Sequence, residues 1–182
     1  MKKMIILFLL IVLINSCDNS VEPTPPNTSG ENSINSKIVD FKIKGFSFSQ
    51  GGLIDYPNSS DIIPDIIVMV QIDVNGNIMG VFFGSGVGLI PSFNLVHQAS
   101  NIDSAQSFFS SLNEVPDSNY SDLAIPVKEY QIWAVKSVEN NFGKILILNT
   151  TAYVDSSNLV GPTPYGEATF KWDYQPNGTR YF

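Results

Sequence analysis

The 182-residue chain has one cysteine and one histidine. A lone Cys17 rules out an intramolecular disulfide and every cysteine-based metal cluster, so the fold rests on its apolar core. A lone His97 is too little for zinc catalysis, which uses about three protein ligands. It is also the only imidazole for a Ser-His-Asp triad. The nearest serine-glycine stretch, Ser85 to Gly88, has neither the G-x-S-x-G elbow nor its strand-turn-helix setting and reads as a bending loop. Basic residues are few, ten Lys and Arg against seventeen Asp and Glu, for a net charge of −7. An acidic balance with no Lys/Arg cluster to neutralise phosphates argues against nucleic acid as a partner.

Long apolar runs are absent too, with one short exception. Two lysines precede an unbroken apolar run from Met4 to Ile14, followed by Asn15-Ser16-Cys17. Eleven apolar residues fall short of the roughly 20 a membrane helix needs, and they fit the h-region of a secretory leader. With Ile14 at −3 and Ser16 at −1, Cys17 sits where a bacterial lipobox places its lipidated cysteine. The expectation is a leader over residues 1–16, then a lipidated Cys17 heading a polar, disordered tether over residues 17–36. The stretch "DNSVEPTPPNTSGENSINS" has too little apolar surface to offset its ordering entropy. Removing Lys2 and Lys3 with the leader takes the net charge from −7 to −9. The location this implies is the bacterial cell envelope, lipid-anchored at the outer membrane.

Residues 37–182 form one domain. In "KIVDFKIKGFSFS" the apolar residues Ile38, Phe41, Ile43, Phe46 and Phe48 alternate with polar ones, with a slip after Ile38 and a bulge expected at Gly45. "DIIVMVQIDVNGNIMGVFFGSG" reads as a hairpin turning at Asn75-Gly76, its first strand central. "SNIDSAQSFFSSLNEV" predicts a helix with Ser100 as N-cap. "KEYQIWAVKSV" and "KILILNTTAYV" predict a second hairpin, and the Gln175-Pro-Asn-Gly turn a short returning terminal strand. The fold class expected is mainly β: an antiparallel two-sheet, sandwich-like domain of about eight strands with one or two short helices.

Chemistry is sparse. Asp61 and Asp65 are close enough in sequence for paired-carboxylate hydrolysis, but seventeen acidic residues make such pairs common and the plain reading is solvated loop ends. Trp133 and Trp172 fall on strands and read as core. The soft donors left for a haem iron are His97, Met79 and Met69, the two methionines flanking the Asn75-Gly76 turn in roughly opposite positions. For a strand methionine, core packing is the commoner role. No base with a partner emerges, so the chain is read as a non-enzyme.

Three stretches resemble the HmuY-like haem-binding bacterial lipoproteins. "FSFSQGGL" with "SSDIIPDIIVMV" is similar to that family's early strand, polar loop and Asp-Ile strand. "QIWAVKSVENNFGKILILNTTAY" is similar to a strand, Gly-Lys turn and strand of the family, and "YGEATFKWDYQPNGTRYF" to its closing aromatic hairpin. The resemblance implies a surface or periplasm-facing lipoprotein that holds haem non-covalently and passes it to an outer-membrane uptake receptor in iron acquisition. Pro64 stands where family members often carry tryptophan, and only His97 is present to match the family's two axial histidines. The alternative is a β-sandwich lipoprotein of the same ancestry, without haem ligation, that binds another ligand or a protein partner.

Overall fold

The computed structural model describes residues 26–157 and 161–182. The expected leader, Cys17 and the first part of the expected tether, up to residue 25, lie outside the described residues. Period-two alternation in the sequence becomes eleven strands: β1 (Ser29–Asn35), β2 (Ile38–Val39), β3 (Lys42–Ser47), β4 (Gly52–Tyr56), β5 (Ile67–Ile72), β6 (Ile78–Gly84), β7 (Phe93–Gln98), β8 (Leu123–Val127), β9 (Gln131–Lys136), β10 (Phe142–Asp155) and β11 (Thr163–Gln175). One helix among the described residues, α1 (Ile102–Ser111), lies between β7 and β8.

The spine is β11. Every second residue from Gly166 to Tyr174 is buried, so one face sends Ala168, Phe170, Trp172 and Tyr174 into the core. It pairs with β1 on one side and β10 on the other, within an antiparallel five-stranded sheet ordered β1-β11-β10-β9-β7. Opposite lie two three-stranded sheets, β2-β3-β4 and β5-β6-β8. They meet where Phe46 bridges Ile66, its N–H donating to the Ile66 carbonyl at 2.9 Å. The expected mainly-β sandwich is therefore what the chain forms, with its second layer split in two.

Phe46 is the centre of the core. Its ring lies 5.0 Å edge-on from Phe48, 5.3 Å from Phe170 and 5.0 Å from Trp172. Each such pair contributes about 0.5–1.5 kcal/mol beyond burial itself. Gly143 lets β10 close on this cluster, since a Cβ there would come within 2.5 Å of the Phe48 ring. On the outer face of the five-stranded sheet, Ala105 and Phe109 of α1 pack on Ile132 and Leu146.

Several expectations change. The expected tether does not extend to residue 36: Ser29–Asn35 pairs rung by rung with Asp173–Glu167, and Ile34 is buried. An edge strand needs one covered apolar residue and satisfied backbone groups, and composition alone does not reveal that. Gly45 is not a bulge, because β3 and β4 keep register through it. It is glycine because Pro64 packs against it, and a Cβ would meet the Pro64 ring at 2.4 Å. Phe41 is not a strand residue. The slip after Ile38 is a tight turn, with Asp40 and Phe41 at φ 50° and 61° between β2 and β3.

β5 is an edge of its sheet, where a central position was expected. The helix is capped by Asn101, whose Oδ1 accepts from the Ser104 N–H at 2.9 Å, so the N-cap sits one residue past Ser100. The last residues turn after Gln175 as expected but pair elsewhere, the Phe182 N–H donating to Asn113 and the Val115 N–H to Arg180.

Candidate functional site

His97 lies on β7, the outermost strand of the five-stranded sheet, where a loop was expected, and pairs with Ile132. Its ring stacks on Phe108 of α1, with centroids 4.1 Å apart at 14°. The groove beside it is lined by Asp103, Ser104, Ser107 and Ser111. Met69 and Met79 belong to the second layer, on the other side of that sheet. They are not opposite each other: Met69 pairs with Phe82, and the register shifts between Gln71 and Ile72. The Met69 Cε covers Gly84, where a Cβ would lie 2.5 Å from it, whereas Met79 is exposed.

No two of the three soft donors share a cleft, so an axial pair for a haem iron does not fit this arrangement. Ser85 is equally separate from His97; its Oγ accepts from the Val87 N–H. Cys17 lies outside the described residues.

What the fold does bring together is one open end of the sandwich. Gly166 marks its rim: the Ser36 N–H donates to the Gly166 carbonyl at 2.8 Å, and a Cβ on Gly166 would meet Val70 and Val81 at 2.7 and 3.3 Å. Three hairpins continue past that level in the same direction. The β2–β3 hairpin reaches Asp40-Phe41, the β5–β6 hairpin reaches Asp73 to Asn77, and β10–β11 runs on to the Asp155↔Thr163 rung. Among the described residues fourteen large apolar side chains are exposed, and eight of them stand here: Ile38, Val39, Phe41, Ile72, Val74, Met79, Tyr153 and Val154.

Two clefts open beside Lys37 at this end. One of about 320 Å³ lies between Ser36, Ile38, Asp155, Pro164 and Tyr165. The other, of about 360 Å³, gathers Lys37, Lys42 and Lys44 against Asp40 and Asp55. Lys44 bonds Asp55 at 2.6 Å, and that ion pair holds the Asp55 carboxyl below its ordinary pKa. Tyr165 donates its hydroxyl to Glu167, and burial with that partner pushes the phenol up to about 12. Tyr153 lies 5.0 Å from Tyr165 at the same end. The three lysines are scattered through "KIVDFKIK", and only the hairpin collects them.

Two buried charges also escaped the linear reading. Asp65 is 3 % exposed, so it is no solvated loop end; Asp61 alone is exposed. Its Oδ2 accepts from the Phe48 N–H and its Oδ1 from the Val138 N–H, both at 2.7 Å. Burial raises its pKa to about 6 against the pull of those two donors. Lys144, also 3 % exposed, donates to the Phe109 and Leu112 carbonyls at 3.0 and 2.9 Å and lies 3.4 Å from Asp173. Burial lowers its pKa, opposed by Asp173. Both side chains commit their polar atoms to backbone, which leaves them structural work.

Comparison of the chain with family models, curated proteins and solved structures finds no match to any of them.

Proposed function

We propose that the chain is an envelope protein anchored through lipidated Cys17, whose β-sandwich head binds without catalysis through its apolar end. The observation that carries this is the placement of eight exposed apolar side chains on three hairpins that run past the same end of the sandwich. Monomer surfaces scatter such residues singly, and their concentration at one end marks that end as a contact surface. Replacing Cys17 with serine is expected to move the protein from the membrane to the soluble envelope fraction. An unchanged distribution would remove the anchor from the reading.

Haem capture, with hand-over to an outer-membrane uptake receptor, is the second reading. Met79 supports it, as an exposed thioether at the same apolar end that haem iron accepts as a ligand. Titration of the full chain with haemin separates the two. A saturable Soret shift lost in Met79→Ala would establish haem at this end. A shift lost only in His97→Ala would move the site to the groove beside α1, and an unchanged spectrum excludes haem.

A further inference from the structure

We propose that the apolar end docks into a lipid bilayer surface, giving the head a second membrane contact besides its anchor. The proposal rests on the anchored-binding reading above and names the partner of that end.

Phe41 carries most of the argument. It occupies the second position of a two-residue turn at φ 61°, a conformation that disfavours bulky side chains and suits glycine or asparagine. Its side chain is 96 % exposed, so no packing within the fold offsets the strain. A strained aromatic with nothing to touch is set there for something outside the molecule. Val74 stands equally bare in the β5–β6 turn, and Ile38 and Val39, also exposed, come just ahead of the Asp40-Phe41 turn.

The rest of the end suits an interface between water and hydrocarbon. Two tyrosines, Tyr153 and Tyr165, sit below the tips with hydroxyl-bearing rings of the kind that favour the headgroup level. Lys37, Lys42 and Lys44 ring the cleft beside them, with stems long enough to reach headgroups while the aliphatic tips go deeper. Asp40, Asp55, Asp73 and Asp155 outnumber these three cations, so charge does not draw the end to an anionic surface and the contact is driven by apolar burial. Asp73 is held by the Asn75 and Asn77 N–H groups of its own turn.

Geometry permits both contacts at once. Thr28 is already seated, its carbonyl accepting from the Tyr174 N–H at 2.7 Å, and Asn27 lies against Gly51, so the nine residues 17–25 are what remains to reach the anchor, about 30 Å when extended. From the Asp173 rung beside Ser29 to Thr163 is ten residues of β11, about 33 Å. The anchor chain falls a little short of the head's length, so both contacts are made together when the head tilts over the bilayer.

The test is depth-dependent quenching in proteoliposomes made with the full chain and bromine-labelled phosphatidylcholine. Trp133 and Trp172 are buried and give a constant background. The Phe41→Trp and Val74→Trp chains are expected to be quenched by brominated acyl chains, and a Tyr181→Trp chain is not. Combining Val39→Asp and Phe41→Gly should shift the docked fraction read by Val74→Trp by roughly tenfold or more, the burial of one large side chain. Phe41→Gly alone should raise the urea midpoint, because it releases the turn. Absence of lipid quenching at both positions in vesicle-bound protein overturns the proposal and leaves the anchored-binding reading standing. Protection of position 74 from brominated lipid and aqueous acrylamide alike would report a protein on that end and overturn it too.

Discussion

Lys144→Ala is expected to destabilise the protein by about 3 kcal/mol or more, the usual cost of removing one partner from a buried charged cluster. An α-helix ends with carbonyls that its own backbone cannot satisfy, at the negative pole of its dipole. At the end of α1 two of these, from Phe109 and from the C-cap Leu112, receive the Lys144 ammonium, which rises from the sheet strand β10 beneath. The same ammonium lies 4.8 Å from the Phe109 and Phe182 rings, so helix and C-terminus are tied to one side chain. Lys144→Met keeps most of the stem packing and loses only the polar contacts, so a smaller loss of about 2 kcal/mol is expected. Urea unfolding measures both. Hydrogen exchange should show the α1 amides losing protection before those of β10 and β11. A Lys144→Ala protein within about 1 kcal/mol of the parent would show that the helix is held by Ala105 and Phe109 alone.

Removing Asp65 is the second large effect. Asp65→Ala leaves the buried N–H groups of Phe48 and Val138 without acceptors, at about 1–3 kcal/mol each. The carboxyl also makes stability depend on pH. Its folded pKa of about 6 stands above the unfolded value of 3.8, so the folded state holds more protons between them. The contribution is complete below about pH 4 and falls away as pH rises through 6, by roughly 3 kcal/mol in all. Burial is the leading cause, and the nearby Glu139 adds to it. Asp65→Asn carries no titrating group. The stability gap between parent and Asp65→Asn should therefore narrow between pH 4 and 7, as measured by urea midpoints. Parallel curves would mean that the two backbone donors already hold Asp65 ionised throughout.

These two residues show where linear reading runs out. A charged residue in a sequence carries a prior for the surface, and its burial depends on partners far along the chain. Lys144 meets carbonyls more than thirty positions away, and Asp65 meets an amide 73 positions away. Strands with one covered face were legible, because burial and hydropathy share a period of two. In β11 the buried run is Gly166 followed by the alternating Ala168, Phe170, Trp172 and Tyr174. The Asn75-Gly76 turn was legible from its residue types. The Asp40-Phe41 turn was not, because phenylalanine is the wrong residue for it. That mismatch makes the position informative once its dihedral angle is known. The apolar end was invisible for a related reason: its members come from three hairpins, and each alone looks like ordinary strand hydropathy. β1 escaped because a polar edge strand and a polar linker have the same composition.

The seating of β1 also decides how the head carries load. Any tension arriving through the chain ahead of Ser29 enters at one end of a strand whose seven residues pair with β11. Pulled along its axis, β1 is loaded in shear, and its rungs resist together. The Trp172 indole bonded to Asn32 at 2.8 Å and Ile34 in the core resist with them. Pulled across the sheet, the same rungs open in succession, like a zip. A pull directed outward along β1 takes the first course, and a pull directed across the sheet or back toward the tips takes the second. Orientation thus sets how much force the domain withstands before its first strand peels away.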